Sequence, residues 1–114
     1  GSGTSKYSRA AVKAEWKSLM VAREKAEIPL IVGSSGTCGT NSMVDWMEEI
    51  TIELAKELDQ SLKITKLYCE QDKNYIKNNF KNNKISPLNP APNLDINLID
   101  NMTNIVALAG AEQI

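Results

Sequence analysis

The stretch IPLIVGSSGTCGTNSM, residues 28–43, decides the fold that this sequence predicts. It begins with an apolar run rich in branched side chains and continues into three glycines interleaved with serine and threonine. The apolar residues do not alternate with polar ones, which is typical of a strand buried on both faces of a parallel sheet. Pro29 fits the start of such a strand, where a missing N–H costs little. We therefore expect a strand over 28–33 and a loop that leads into a helix.

Helical and strand-like patterns alternate along the rest of the chain. Apolar residues recur every three or four positions in the helical segments. Ser8 and Asp95 stand where an N-cap residue would accept a backbone N–H, and Ser42 with Asp45 resembles a capping box. The expected helices cover 8–26, 42–60, 72–83 and 95–101, and the expected strands cover 28–33, 62–69 and 104–110.

This order of elements predicts an α/β fold. Strands separated by helices imply right-handed crossovers and a parallel sheet. The predicted architecture is a three-layer sandwich with a small parallel sheet, comparable to half of a Rossmann or flavodoxin-like fold. Three strands are few for an independent sheet, so we expect the 114 residues to form a single α/β domain or part of a larger one.

The composition narrows the classes of function. The formal net charge is −1 and the basic residues are scattered among acids, so the sequence excludes the basic patch that nucleic acid binding needs. No apolar run approaches the roughly 20 residues of a membrane span, and two cysteines make no disulfide framework, so a cytoplasmic location is expected. Histidine is absent, which excludes Ser-His-Asp or Cys-His catalysis within this chain.

The glycine-rich loop is the first candidate site. In an open parallel sheet, ligands collect at the carboxyl ends of the strands, where backbone N–H groups and helix N-termini attract anions. The glycine spacing matches neither the dinucleotide fingerprint nor a Walker A loop, so no cofactor is identified. The loop is an anion cradle or a tight turn whose glycines serve geometry alone, and we favour the cradle. The candidate ligand-binding residues are Gly33, Ser34, Ser35, Gly36, Thr37, Gly39 and Thr40.

Two further features bear on catalysis. Glu70, Asp72 and Lys73 form a dense charged cluster at the second predicted strand end, where they would transfer protons or bind a metal with water. The equally weighted alternative is that Asp72 caps a helix and the other two are solvated. Cys38 lies near a helix N-terminus, a setting that lowers a thiol pKa, but without a histidine base we interpret it as an incidental small residue.

Five segments carry a resemblance to a known family. They are GSGTSKYSRAAVK at 1–13, IPLIVGSSGTCGTNSMVDW at 28–46, LYCEQDKNYIK at 67–77, KISPLNPAPNLD at 84–95 and TNIVALAGAEQI at 103–114. In this order and spacing they resemble the N-terminal domain of the acyclic terpene utilisation family, the AtuA-like proteins. The similarity spans essentially the whole chain.

The resemblance implies a segment of a longer protein or one subunit of a split version. It also implies a role in microbial catabolism of acyclic terpenes and related branched acids. The pocket residues that the resemblance implies are Gly33, Ser34, Gly36, Thr37, Gly39, Asp45, Glu70, Asp72 and Lys73. It also implies that Gly3, Thr4 and Ser5 lie at the edge of the same pocket. Cys38 departs from the alanine or glycine expected there.

The leading functional prediction is a catabolic enzyme domain that acts on a small branched carboxylate or an acyl-CoA held by the glycine-rich loop. Its reaction class, lyase or hydrolase, is not determined by the sequence. The alternative is a non-catalytic binding or assembly module that completes a pocket with a partner domain. Either version implies association with the remainder of the same protein, with a partner subunit or with further copies. A Rossmann-like nucleotide binder is disfavoured by the missing fingerprint.

Overall fold

The structure is a computed structural model that describes residues 2–110 and 112. Its contacts divide the chain into two units, Gly1–Tyr68 and Cys69–Ile114, which we call unit 1 and unit 2. About half of the chain, 49%, is helical and 2% is strand. Helices thus account for most of the regular structure, and each unit contains two of them.

Unit 1 begins with α1, Arg9–Ala26, which confirms the helix expected over 8–26. The predicted N-cap is also confirmed, because the Ser8 hydroxyl accepts a hydrogen bond from the Ala11 amide at 3.3 Å. The helix ends at Glu27, which takes a left-handed conformation with φ 54°. The Glu27 N–H donates back to the last carbonyls of the helix, which closes its C-terminus.

The second helix of unit 1 is α2, Asn41–Glu57, which confirms the helix expected over 42–60 but begins one residue before it. Its apolar stripe packs inward as predicted, with Met47, Ile50 and Leu54 buried. The expected capping box of Ser42 is wrong. The helix begins earlier, Thr40 is the N-cap residue, and its side chain makes no capping hydrogen bond.

The core of unit 1 lies between these two helices. Met20 of α1 meets Ile50 and Leu54 of α2 in the buried centre. A polar contact crosses the same interface, because Trp16 Nε1 donates to Thr51 Oγ1 at 2.9 Å. Partly buried side chains surround the centre, and they are Val12, Trp16, Trp46, Ala55, Leu58 and Leu62.

An ion-pair ladder joins the outer faces of α1 and α2. Lys13 Nζ lies 2.5 Å from Glu53 and also pairs with Glu57, while Arg9 lies 2.7 Å from Glu53. Hydrogen bonds from Lys13 and then Arg9 lower the pKa of the Glu53 carboxyl, and hydrogen bonds to Glu53 and Glu57 raise the pKa of Lys13. Exposed pairs contribute little to stability individually, so the buried apolar contacts between α1 and α2 contribute more than this ladder.

Unit 2 contains two shorter helices, α3 (Lys73–Lys81) and α4 (Ile96–Asn101). Asp95 caps α4 as predicted, because its carboxylate accepts from the Leu98 amide at 2.7 Å. Ile99 of α4 is fully buried. An antiparallel bridge pairs Glu70 with Val106 beside these helices.

The predicted α/β sandwich with a parallel sheet is contradicted, because the described residues contain no sheet. The predicted strand over 28–33 is neither helical nor paired, and that over 62–69 is paired only at its last residue, Cys69. The predicted strand over 104–110 contributes only the bridge at Val106. That bridge is antiparallel, the opposite of the predicted direction. Backbone hydrogen bonds Gln71 N–Ile105 O (2.8 Å) and Ala107 N–Cys69 O (2.9 Å) flank it.

The reason for the error lies in burial. A continuous apolar run was interpreted as a strand covered on both faces, yet the Ile31 side chain is 65% exposed and that of Leu108 is 94% exposed. Among the described residues, no backbone–backbone hydrogen bond involves residues 29–33 or 61–68. The preference of branched side chains for strands reflects how well they fit a pleated, half-buried surface. Such residues form no strand where no neighbouring strand pairs with them.

Candidate functional site

The glycine-rich loop of unit 1 is a chain of left-handed conformations. A 3₁₀ turn covers Ser35–Thr37, and Ser34, Gly36, Thr37 and Gly39 have φ values of 52°, 60°, 70° and 68°. Cys38 between them returns to the right-handed region with φ −111°. The hand alternates over Thr37, Cys38 and Gly39, and such alternation turns successive N–H groups to one side, which is the geometry of an anion-binding nest.

The loop already fills part of that nest with its own carbonyl. The amides of Cys38 and Gly39 both donate to the Ser35 carbonyl oxygen, the latter at 2.9 Å. These two N–H groups are therefore engaged, and an incoming anion would have to displace the Ser35 carbonyl to reach them. The alternative that the glycines serve a tight turn gains support from this contact.

Gly36 has a steric reason to be glycine. A Cβ built on it would lie 2.6 Å from Met43 Sδ and 2.8 Å from Met43 Cβ. The loop thus packs directly against the first turns of α2, and the left-handed φ adds a second demand for glycine. Gly33 differs, since an added Cβ there would meet nothing within 4 Å.

Thr40 connects the loop to the start of the chain. Its side chain is buried, and its Oγ1 donates to the Gly3 carbonyl at 3.4 Å and lies 3.1 Å from Ser42 Oγ. The structure therefore brings Gly3 against the loop. The hydroxyls of Thr4 and Ser5 make local contacts, Thr4 with Ser2 and Ser5 with Tyr7. The exposed loop hydroxyls are those of Ser34 and Thr37.

Each side chain of the charged cluster in unit 2, Glu70, Asp72 and Lys73, contacts a different partner. Glu70 Oε1 accepts from Asn104 Nδ2 at 2.6 Å beside the antiparallel bridge. Asp72 caps α3, accepting from the Tyr75 amide at 2.9 Å. Lys73 Nζ donates to the Asp100 carbonyl at 3.1 Å in α4. Each of the three side chains stabilises a different local feature, and catalysis by them stays a prediction.

We expect Asp72→Ala to lower the stability of α3 by about 1 kcal/mol, because the first turn loses its side-chain acceptor. Asp72→Ser is the matched control, since serine is an equally good N-cap residue. Hydrogen exchange of the α3 amides measures the difference between the two. Equal exchange rates in both variants would contradict the capping role.

A cluster that the sequence interpretation missed lies on α2. Lys66 Nζ donates to Asp45 Oδ1 at 2.9 Å and to Glu48 Oε2 at 2.7 Å, and Tyr68 Oη donates to the same Asp45 oxygen. Those donors hold the pKa of the Asp45 carboxyl below its usual value, the Tyr68 hydrogen bond contributing most. The signal was present in the sequence, because Asp45 and Glu48 are three residues apart on a helix and share a face.

The remaining surface features are simpler. An open groove of about 530 Å³ lies on α2 beside the start of α1, away from the glycine-rich loop. Within the described part of the chain, no three metal-binding side chains converge. No described helix has both the length and the apolar character to cross a bilayer. The groove is lined by Arg9, Glu49, Ile52, Glu53, Lys56 and Glu57.

Comparison with known proteins gives no assignment: no family model, no curated protein and no solved structure matches this chain. The resemblance to the acyclic terpene utilisation family therefore rests on the five sequence segments alone.

Proposed function

We propose that this chain is a binding and assembly module of a catabolic protein of the acyclic terpene utilisation type. In this proposal it docks onto a partner domain through its apolar non-helical segments and completes a pocket there. The partner domain is the remainder of the same protein or a separate subunit. The reacting groups come mainly from that domain.

The observation that carries the proposal is the exposure of the segments 28–33 and 62–68. Ile28, Leu30, Ile31 and Val32 in the first are exposed, as are Ile64, Leu67 and Tyr68 in the second. Contiguous exposed apolar side chains mark interaction sites. The backbone of 29–33 and 61–68 pairs with no other described backbone group, and such segments invite pairing with a strand of another domain. A partner that offers the edge of a β-sheet would satisfy both the side chains and the backbone.

The contacts of the charged cluster favour the assembly role over a complete catalytic centre. Glu70, Asp72 and Lys73 each contact a different neighbour in unit 2, and Asp72 acts there as the N-cap of α3. The absence of histidine removes the commonest general base from the whole chain.

The ligand in this proposal is a small branched carboxylate or an acyl-CoA. Its anionic group binds at the loop Gly33–Thr40, near the exposed hydroxyls of Ser34 and Thr37 and the N-terminus of α2. Docking would rearrange the Ser35 carbonyl and free the amides that it now occupies. We place the assembled protein in the cytoplasm, where its two free cysteines stay reduced.

The test pairs this chain with an AtuA-like protein from which the corresponding N-terminal segment has been removed. We expect the two to form a complex whose melting temperature exceeds that of this chain alone. Inorganic phosphate and isovaleryl-CoA should stabilise the complex and leave the isolated chain unchanged, because a ligand stabilises only a state that binds it. Melting is followed by tryptophan fluorescence.

Two variants sharpen the experiment. Ile31→Asp places a charge in the proposed docking segment and should abolish the complex. Leu19→Asp, at a position 49% exposed on α1, is the matched control and should leave the complex intact. Stabilisation of the isolated chain by isovaleryl-CoA, together with no complex, would overturn the assembly role and favour a self-sufficient ligand-binding domain.

A further inference from the structure

The segment 62–68 follows α2 from its middle toward its beginning. Leu62 packs against the core around Ile50 and Leu54. Lys66 then reaches Glu48 and Asp45, and Tyr68 reaches Asp45. The contact positions on α2 thus move toward the helix N-terminus as the segment advances. The segment and the helix therefore run in opposite directions.

Side chains supply the attachment that the backbone lacks. Among the described residues, 61–68 make no backbone–backbone hydrogen bond. The segment is instead tied to α2 by the Lys66 ammonium, which bridges Asp45 and Glu48, and by the Tyr68 hydroxyl on Asp45. Lys66 Nζ also lies 5.4 Å from the centre of the Tyr68 ring, close enough for a cation–π contact.

The charges of this cluster are arranged to reinforce one another. Asp45 and Glu48 lie one turn apart on the same face of α2, so a single ammonium reaches both. Hydrogen bonds to Glu48, then Tyr68 and Asp45, raise the pKa of Lys66 above its ordinary value. The lysine therefore keeps its charge throughout the range in which proteins are stable.

From this geometry we infer that Lys66 and Tyr68 form a clasp on Asp45 and Glu48 that holds 62–68 in place for docking. The inference rests on the proposed function for the docking itself, but the clasp exists without a partner. A segment fixed before binding loses less conformational freedom when it binds. The four residues are thus positioning residues of the docking surface.

The clasp is tested on the intact chain by ¹⁵N relaxation of residues 62–68. We expect order parameters near the value of about 0.85 found for rigid backbone in the original sequence, and values below about 0.6 in the double variant Asp45→Ala/Glu48→Ala. Alanine is the best helix former, so α2 persists in that variant. Glu49→Ala, on the same helix, removes a carboxylate outside the clasp and should leave the order parameters unchanged.

Affinity for the shortened AtuA-like protein supplies the second readout. Opening the clasp should raise the dissociation constant of the complex about tenfold, because 62–68 must then lose conformational entropy when it binds. Mobile residues 62–68 in the original sequence, or unchanged order parameters in the double variant, would overturn the clasp. Loss of order with unchanged affinity would overturn its role in docking. Absence of any complex with an intact clasp would count against the proposed function alone.

Discussion

Leu54→Ala is expected to lower the free energy of unfolding of unit 1 by about 2–5 kcal/mol. The Leu54 side chain is fully buried between α1 and α2, where it meets Met20 and Ile50. Truncation removes the transfer free energy of its methyl groups and leaves a cavity that the two helices fill only partly.

Urea denaturation followed by tryptophan fluorescence measures this loss. Both tryptophans of the chain, Trp16 and Trp46, lie in unit 1 and pack against its core, so the signal reports this unit. Ile52→Ala is the matched control, on the same helix but 41% exposed, and should change the free energy of unfolding by a much smaller amount. Equal losses in both variants would show that α2 does not pack as described.

Gly36→Ala should lower the stability of unit 1 by about 1–3 kcal/mol, the range for a non-glycine residue forced into left-handed conformation. The new methyl group also collides with Met43, and one of the atoms that it meets is Met43 Cβ, which cannot swing away as a side-chain tip does. The loop or the first turns of α2 must shift to relieve the contact.

Gly33→Ala is the control for this prediction, because its Cβ meets nothing and its φ is not in the left-handed region. We expect a change within about 0.5 kcal/mol. The double variant Gly36→Ala/Met43→Ala keeps the backbone strain and the 2.8 Å approach to the residue 43 Cβ but removes the collisions with Sδ and Cγ, so it measures the part of the loss that the flexible end of Met43 causes. An unchanged free energy of unfolding in Gly36→Ala would contradict the loop geometry and the interpretation of the glycines as a tight turn.

The helices were predictable because their signals are local. Recurring apolar positions located α1 and α2, and Ser8 and Asp95 marked helix starts through side chains that accept neighbouring amides. The strands were not predictable in this way, because a strand exists only through its partner. The run at 28–33 has the composition of a covered strand, and no described segment covers it.

In the candidate site, too, the features that local sequence signals determine were predicted and the others were not. The loop Gly33–Thr40 was correctly located before α2, and the alternative role of Asp72 as a cap is confirmed. The engagement of the loop amides by the Ser35 carbonyl was not predictable, because it depends on the handedness of each loop residue. The clasp was missed because Lys66 was assigned to an alternating strand rather than to a contact with α2.

Pro29 has a consequence for how copies of this chain behave at high concentration. Short apolar windows free of charge and proline nucleate cross-β aggregates, and gatekeeper residues interrupt them. Pro29 interrupts the first segment, while Lys63 and Lys66 interrupt the second. The run at 104–110 has neither proline nor charge, and its Leu108 points into solvent. Of these three segments, the run at 104–110 is therefore the one that contains no gatekeeper residue.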